Sequence, residues 1–246
     1  MGTDPKFIIP DWPAPESVKA FSTTRTGGCS AAPWDSFNLG SHVDDEPGQV
    51  EKNRQKLAES VGVSRSRFRF LQQVHGTDVV ELPADLSVQA DGCVTSRPRV
   101  PCLVMAADCL PVLFCTRAGT RVAAAHAGWR GLCNGVLEQA VAQFDDPADL
   151  MAWLGPAIGP GQFEVGAEVR EAFLEKDPEA HQAFVPGATD GHFLADLYTL
   201  ARQRLTSAGV SEIHGGHWCT FSESERFFSY RRDGVTGRMA SLIYID

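Results

Sequence analysis

Closely spaced strand-like segments constrain this chain more than any other feature of its sequence. Many short runs are apolar, or alternate apolar with polar residues, and end at turn-forming residues. Several neighbouring runs are joined by connections too short for the helical crossover that parallel strands need. We therefore predict an α+β fold of mixed β-sheets with packed helices, rather than a doubly wound parallel sheet. The predicted strands are Val18–Thr23, Arg69–Val74, Asp78–Leu82, Gly92–Thr95, Cys102–Ala106, Pro111–Thr116, Arg121–Ala125, Leu150–Leu154, Phe227–Tyr230 and Ala240–Ile245.

Helices are predicted where apolar residues recur every three to four positions. The first predicted helix has Pro47 near its start and Gly62 just past its end, and these residue types are common at those positions. The last is followed by Gly209, which is typical of a helix C-terminus. The predicted helices are Pro47–Val61, Gly131–Phe144, Ala167–Glu175 and Phe193–Ala208.

The size and charge of the chain limit its domain organisation and its partners. The 246 residues contain no internal repeat and no long linker, so we predict a single domain over residues 1–246. The formal net charge is −9, and an acidic surface repels phosphate backbones, so we expect no nucleic-acid partner. Small anionic substrates are still allowed, because a local pocket can be basic inside an acidic protein.

The expected location is the cytoplasm. No run of about 18 apolar residues is present, so we expect no membrane span. The first residues lack a basic segment followed by an apolar one, so we expect no secretory signal. Seven cysteines, an odd number without such a signal, predict reduced thiols, most of them buried.

Three short segments place a metal-binding or nucleophilic side chain beside the end of a predicted strand. They contain His75 before Gly76, Cys109 before Leu110-Pro111, and His126 before Ala127-Gly128. Two imidazoles and a thiolate form a good zinc ligand set that leaves a fourth position for water or substrate. The spacing leaves alternatives open, because a lone His is often a hydrogen-bonded turn residue and a lone Cys a small buried apolar residue.

A set of short motifs runs along nearly the whole chain in a fixed order. The motifs are Thr23-Thr24-Arg25-Thr26-Gly27-Gly28, Asn38-Leu39-Gly40, Gln73-Val74-His75-Gly76, Ala107-Asp108-Cys109-Leu110-Pro111-Val112, His126-Ala127-Gly128-Trp129-Arg130-Gly131, Trp153-Leu154-Gly155-Pro156-Ala157-Ile158-Gly159-Pro160, Phe163-Glu164-Val165-Gly166 and Phe228-Ser229-Tyr230-Arg231-Arg232-Asp233. Together they resemble the YfiH family, also called the laccase-domain, multicopper polyphenol oxidase or purine nucleoside phosphorylase family. One departure is Asp44, where family members usually have Gly.

The resemblance implies a single YfiH-like domain in which His75, Cys109 and His126 bind one catalytic zinc. It also implies phosphorolysis of adenosine, inosine, guanosine and methylthioadenosine, and hydrolytic deamination of adenosine. The expected partners are therefore a purine nucleoside and phosphate. An arginine fork suits phosphate, and the candidates are Arg54, which the family pattern places near the zinc, and Arg130.

Other polar residues of the motifs have roles that the sequence leaves open. Asn38 could bind the purine or ribose, or serve as a turn residue. Asp108 and Glu164 could be acid–base groups or could orient a ligand, and Asp108 is expected to fix the turn of Cys109. The remaining histidines are expected to be structural or solvent-facing, and they are His42, His181, His192, His214 and His217.

Rival functions use the same three residues. A His₂Cys set can also hold copper, as the laccase name suggests, although the seven histidines include no His-x-His pair. A metal-free hydrolase would use Cys109 as nucleophile and a histidine as base. The resemblance extends in fold to cytotoxic necrotizing factor and similar Cys–His deamidases, and bacterial relatives are linked to editing of peptidoglycan precursors. A non-enzymatic domain with a zinc-stabilised surface is the third alternative.

Overall fold

The computed structural model describes residues 5–84 and 88–246. Most of the strands in these ranges are short, and we number them along the chain. They are β1 (Phe7–Ile8), β2 (Val18–Thr23), β3 (Val79–Glu81), β4 (Gly92–Thr95), β5 (Cys102–Ala106), β6 (Leu110–Thr116), β7 (Val122–Ala127), β8 (Leu150–Leu154), β9 (Glu164–Gly166), β10 (Phe184–Pro186), β11 (His192–Ala195), β12 (Glu212–Gly215) and β13 (Met239–Ile245).

The helices occupy the connections between these strands. Short 3₁₀ helices are present at Arg65–Arg67, Pro147–Asp149 and Pro178–Ala183. Within the described ranges, no helix is long and apolar enough to cross a membrane. The α-helices are α1 (Pro47–Val61), α2 (Trp129–Asn134), α3 (Val136–Val141), α4 (Ala167–Lys176), α5 (Leu197–Ser207) and α6 (Tyr230–Asp233).

A six-stranded mixed sheet with the order β12-β8-β6-β7-β4-β3 forms the middle of the fold. The outer pairs β12–β8 and β3–β4 are parallel, and the inner pairs are antiparallel. Every residue of β4, β7 and β8 is buried, which fits their nearly continuous small and apolar sequences. His126 in β7 is an exception to this composition, and it is one of the candidate ligands.

The two faces of the six-stranded sheet contribute to different cores. On β6, Val112 and Phe114 belong to the core that contains the buried residues of α2, α3 and α5. Leu113, between them, belongs to the core shared with β13 and β5. This alternation follows from the two-residue period of a strand.

A second sheet covers the other face of the first. It is antiparallel, with the order β1-β2-β13-β5. Its outer side carries α1, whose Leu57 and Ala58 pack with Leu103 of β5 and Leu242 of β13. A small antiparallel sheet, β10-β11-β9, packs beside α4. The layers are therefore helices, six-stranded sheet, four-stranded sheet and α1.

The predicted mixed sheets with packed helices are confirmed, and several elements have the predicted bounds. They are the helix Pro47–Val61 and the strands Val18–Thr23, Gly92–Thr95, Cys102–Ala106 and Leu150–Leu154. The extent of the domain, predicted as 1–246, stays a prediction, and residues 1–4 and 85–87 of it lie outside the described residues.

Two predicted helices were wrong in part. The helix predicted over Gly131–Phe144 is two helices, because Gly135 adopts φ 105° and interrupts the backbone between α2 and α3. The helix predicted from Phe193 begins at Leu197, because Phe193 pairs with Val165 in the small sheet. Asp196 caps this helix by accepting hydrogen bonds from the Tyr198 and Thr199 amides.

Two predicted strands were wrong. Arg69–Val74 forms a single bridge, between Gln72 and Gln89, and no ladder. The side-chain amide of Gln73 replaces the ladder, because it donates to the Met105 carbonyl and accepts from the Met105 amide, both at 2.7 Å. In Phe227–Tyr230, the first three residues are buried loop and Tyr230 begins α6, which Ser229 caps by accepting a hydrogen bond from the Arg232 amide.

Asp44, where the resembled family usually has Gly, adopts φ 62°. This left-handed conformation favours glycine, and Asp is among the residues that tolerate it. The departure from the motif therefore keeps the loop shape that the usual glycine would allow.

Replacing Gly135 with alanine should destabilise the protein, because φ 105° is strained for any residue with a Cβ atom. We expect the free energy of unfolding to fall by about 1–3 kcal/mol, measured by urea denaturation. Gly161 provides a control, since an added Cβ would meet nothing within 4 Å there. Gly161→Ala should change stability by less than about 0.5 kcal/mol, and equal losses in both variants would contradict the assignment of strain to Gly135.

Candidate metal centre

The pairing of β6 with β7 brings Cys109 and His126 to the same edge of the six-stranded sheet. Leu110, the first residue of β6, pairs with Ala127, the last residue of β7, and Pro111 pairs with His126. Cys109 directly precedes β6. Because β6 and β7 run in opposite directions, the start of β6 lies beside the end of β7. The register therefore places the thiol and the imidazole together.

His75 reaches the same edge from the loop before β3, and Asp91 holds this loop. The carboxylate of Asp91 accepts hydrogen bonds from the backbone amides of Val74, His75 and Gly76 at 3.0, 3.0 and 2.7 Å. These contacts stabilise the left-handed conformation of His75, whose φ is 60°. Asp91 is fully buried and directly precedes β4, the neighbour of β7.

The three side chains fit a shared metal ion. One ligand atom from each of His75, Cys109 and His126 lies within 4.8 Å of the others, and Cys109 Sγ is 3.9 Å from His75 Nε2. A tetrahedral zinc would hold such atoms roughly 3.3–3.6 Å apart. Small side-chain rotations therefore bring all three to one ion. The set can hold a metal and leave a coordination position open.

Asp91 also fixes the ring of His126. Its Oδ1 lies 2.8 Å from His126 Nδ1, which leaves Nε2 of His126 for the metal. A carboxylate behind a histidine is the usual support of a metal-bound imidazole. The sequence analysis missed Asp91; an acidic residue between Ala90 and Gly92 at the start of a buried strand was the signal available.

The turn of Cys109 is held by Asp108, as the sequence analysis expected. Asp108 adopts φ 100°, and its carboxylate accepts hydrogen bonds from the Thr220 hydroxyl at 2.6 Å and from the Arg231 amide at 2.7 Å. Gly128 allows the ligands to approach each other. A Cβ at this position would lie 2.8 Å from His75 Cδ2 and 3.0 Å from Cys109 Sγ.

Cys109 and His126 form a charged pair. Burial by itself raises the pKa of Cys109 and lowers that of His126, since it disfavours both charged forms. The attraction of His126 outweighs burial and lowers the pKa of Cys109, and Cys109 and Asp91 together raise the pKa of His126. Without a metal, the thiolate and the imidazolium are therefore the favoured forms near neutral pH.

The three side chains line a cavity of about 350 Å³, a volume typical of small-molecule sites. A larger cavity of about 600 Å³ beside Trp218 contains none of the three. The lining of the smaller cavity also includes residues that the sequence analysis did not place there. One of them is His42, which was expected to be structural or solvent-facing. The lining residues are His42, Gln73, His75, Met105, Ala106, Ala107, Cys109, His126, Tyr230 and Arg238.

The predicted arginines lie outside this lining. Arg54 donates to the Leu39 carbonyl at 2.9 Å and lies 3.8 Å from the centroid of the Phe70 ring. Burial lowers the pKa of Arg54 to about 10. Arg130 is exposed and lies over Trp129 at 4.4 Å. A substrate role for either arginine stays a prediction.

Asn38 is fully buried and also lies outside the lining. Its side-chain amide donates to the Gly40 carbonyl and to Asp45, and its carbonyl oxygen accepts from the amides of Gly40 and Arg238. Glu164, which the sequence analysis left open as an acid–base group, accepts a hydrogen bond from the Thr189 amide in the connection between β10 and β11. A direct substrate contact by Asn38 stays a prediction.

Comparison with known proteins assigns this chain to a family. The model of the family described as multi-copper polyphenol oxidoreductase laccase matches residues 19–246. The chain belongs to this YfiH family. It is 55% identical over 243 residues to a protein of Escherichia coli K12 named purine nucleoside phosphorylase YfiH, with 98% of this chain and 99% of that protein covered.

Further relatives are similar over nearly their whole length. A Pseudomonas aeruginosa protein, also named a purine nucleoside phosphorylase, is 55% identical over 240 residues, which cover 97% of this chain and 98% of that protein. The crystal structure of a Neisseria meningitidis protein of the DUF152 family superposes with a TM-score of 0.93 at 51% identity. The match covers 98% of this chain and 99% of that one, and it shows that this YfiH-family chain has the family fold.

Replacing Asp91 with asparagine should weaken metal binding by about 10- to 100-fold, because the amide cannot accept from all the groups that the carboxylate holds. The measurement is the zinc dissociation constant in competition with a chelator. Asp78→Asn is the matched control. The Asp78 side chain is exposed, and the contact of this residue with Asp91 is made by the Asp78 backbone carbonyl, which the substitution keeps. Unchanged affinity in Asp91→Asn would contradict the role given to this carboxylate.

Zinc binding should release about one proton near neutral pH. Between the lowered pKa of Cys109 and the raised pKa of His126, the free protein holds a thiolate and an imidazolium. Binding needs the thiolate and a neutral imidazole, so the His126 proton leaves. Affinity should therefore rise about tenfold per pH unit in this window and level off above the pKa of His126. Calorimetry in buffers of different ionisation enthalpy measures the proton, and pH-independent affinity would contradict the charged pair.

Proposed function

We propose that this protein is a zinc-dependent purine nucleoside phosphorylase that also deaminates adenosine. The convergence of His75, Cys109 and His126 beside a cavity of about 350 Å³ carries the proposal. The names of the Escherichia coli and Pseudomonas aeruginosa relatives support the reaction class. The proposed substrates are adenosine, inosine, guanosine and methylthioadenosine, together with phosphate.

Zinc is the proposed ion because two imidazoles and one thiolate are its usual ligands in open sites. Zinc in such a site polarises a substrate oxygen and lowers the pKa of a bound water to about 7. Met105 lines the cavity, and copper sites of the His₂Cys type add a weak methionine ligand. Copper, and with it oxidase chemistry, is therefore an alternative outcome of metal analysis.

The residues of the chain supply orientation and shape to the reaction. Asp91 holds both histidines in place, so the site is ordered before substrate binds. Ala106 and Ala107 give the cavity a small apolar wall, and the exposed ring of Tyr230 offers a face for a purine. Deamination needs a water near the metal, whereas phosphorolysis needs phosphate held near the ribose.

A cytoplasmic setting is part of the proposal. All seven cysteines are free in the structure, as expected where thiols stay reduced. The proposed substrates are small intracellular metabolites by chemical class, and no nucleic-acid or membrane partner is needed.

A metal-free cysteine hydrolase is the second candidate function. The observation in its favour is a complete Cys109–His126–Asp91 arrangement, with a lowered thiol pKa and a carboxylate behind the imidazole. This order of groups is that of a Cys–His–Asp nucleophile system. Its proposed substrate is a peptidoglycan precursor that carries a wrongly placed amino acid.

Metal content and adenosine turnover separate these functions. Mass spectrometry of the untagged protein should find about one zinc per chain. Adenosine should yield adenine only when phosphate is present. It should yield inosine, by deamination, with or without phosphate. Cys109→Ala should lose the zinc and lower both activities by at least about 100-fold, whereas Cys219→Ala, which lies outside the centre, should keep them.

The alternatives give different outcomes in the same experiment. Stoichiometric copper with oxidation of a phenol would support the oxidase. A metal-free protein that hydrolyses an amide through Cys109 would overturn the zinc phosphorylase and support the hydrolase.

A further inference from the structure

Arg238 is a positive side chain of the cavity, and among the described residues its guanidinium is hydrogen-bonded only to backbone carbonyls. It directly precedes β13, is half-buried and lines the cavity together with Cys109 and His126. Its Nη1 donates to the carbonyls of Thr236 and Gly237 at 3.0 and 3.1 Å. In residues 5–84 and 88–246, no Asp or Glu forms an ion pair with its guanidinium.

The cavity contains the guanidinium of Arg238 although the chain carries a net charge of −9. None of the residues that line it is Asp or Glu within the described part of the chain. Partial burial lowers the pKa of His42, and the charges of Arg238 and Arg54 lower it further. Cys109 and Asp108 attract Arg238 electrostatically, but within the described residues neither forms a hydrogen bond with its guanidinium, so Nε and Nη2 can still donate to a bound anion.

The Asn38-Leu39-Gly40 motif positions Arg238 through backbone hydrogen bonds and close packing. Asn38 Oδ1 accepts a hydrogen bond from the Arg238 amide at 2.9 Å, and the Leu39 amide donates to the Arg238 carbonyl at 3.1 Å. Gly40 makes room for the side chain, because a Cβ there would lie 2.8 Å from Arg238 Cγ. The position of Arg238 is therefore built by a segment 200 residues away in the sequence.

A half-buried guanidinium is costly unless it finds an anion, and its planar fork matches phosphate oxygens in pairs. We infer that Arg238 binds the phosphate co-substrate in the cavity and that Asn38 is a positioning residue for Arg238. This inference rests on the proposed phosphorylase function for the identity of the anion. It gives Asn38 an indirect part in substrate binding and assigns the phosphate contact to a residue other than Arg54 or Arg130.

Phosphorolysis at this site exchanges one bond at C1′ of the ribose for another. An oxygen of phosphate forms a bond to C1′ of the ribose, and the bond from C1′ to the purine nitrogen breaks. The electron pair of that bond leaves with the purine, and the proton that the phosphate loses passes through solvent to the purine nitrogen. The products are the free purine and ribose 1-phosphate, and Arg238 holds the attacking phosphate throughout.

The test compares inorganic phosphate binding and turnover in the metal-loaded wild type and in variants of Arg238. Arg238→Gln should raise the Kd for phosphate, measured by calorimetry, and the KM for phosphate by at least about tenfold. The KM for adenosine should change less than about threefold. Arg238→Lys should fall between, because it keeps the charge but loses the fork. Asn38→Ala should raise the KM for phosphate while the kcat at saturating phosphate changes little.

Arg97→Gln is the matched control, since Arg97 is exposed and lies outside the cavity lining. It removes the same charge and should leave the Kd and KM for phosphate unchanged. Thermal unfolding of each variant separates loss of binding from loss of fold. A normal Kd for phosphate in Arg238→Gln, or a tenfold rise in Arg130→Gln instead, would overturn the assignment.

Failure of the proposed function is a separate outcome. If the wild type binds phosphate through Arg238 yet releases no adenine from adenosine, the phosphorylase proposal fails and the anion site stands. If the wild type phosphorolyses adenosine and Arg238→Gln keeps its KM for phosphate, the function stands and the Arg238 site fails. A wild type that binds no phosphate overturns both.

Discussion

The buried carboxylate of Asp91 joins the separate parts of the candidate centre. Three backbone amides of the His75 loop and the ring of His126 all converge on its two oxygens. Burial raises the pKa of this carboxyl, but the hydrogen bonds from His126 and the amides outweigh burial and hold the pKa below its ordinary value. One buried charge thereby fixes the His75 loop, which has no strand ladder of its own. The same charge fixes the ring tautomer of His126 on β7. The geometry of the metal centre depends on that charge staying paired.

The same logic of buried polar contacts shapes the second side of the cavity. Asn38 is fully buried. Its side chain donates a hydrogen bond to the Gly40 carbonyl and accepts one from the amide of Arg238, the residue before β13. Its amide group is thereby satisfied, as buried polar groups must be. The result is an acidic protein in which the thiolate of Cys109 lies in a recess that histidines and an arginine also line. Charge at this site is therefore set by these side chains rather than by the net charge of the chain.

Local patterns predicted the secondary elements best where burial on both faces, or a clear cap, left one reading of the sequence. The helix Pro47–Val61 and several core strands have the predicted bounds because apolar spacing and terminal residues agreed. Errors fell where tertiary contacts override local pattern. The Arg69–Val74 segment has apolar residues between turn signals, but a side-chain amide, that of Gln73, takes the place of the ladder. The helix predicted at Gly131–Phe144 has helical spacing throughout, and a single left-handed glycine still divides it.

The sequence by itself determined the family and the three residues that could hold a metal, because these stand in short motifs with turn residues beside strand ends. Only the tertiary structure brought them within 4.8 Å of one another and revealed Asp91, His42 and Arg238 around them. The contacts that decide these roles join residues far apart in the sequence. The separation is 35 residues for Asp91 and His126, and 200 for Asn38 and Arg238. Periodicity reports only which face of an element is buried. Which elements meet at that face is set by strand order and register, and these depend on how the whole chain packs.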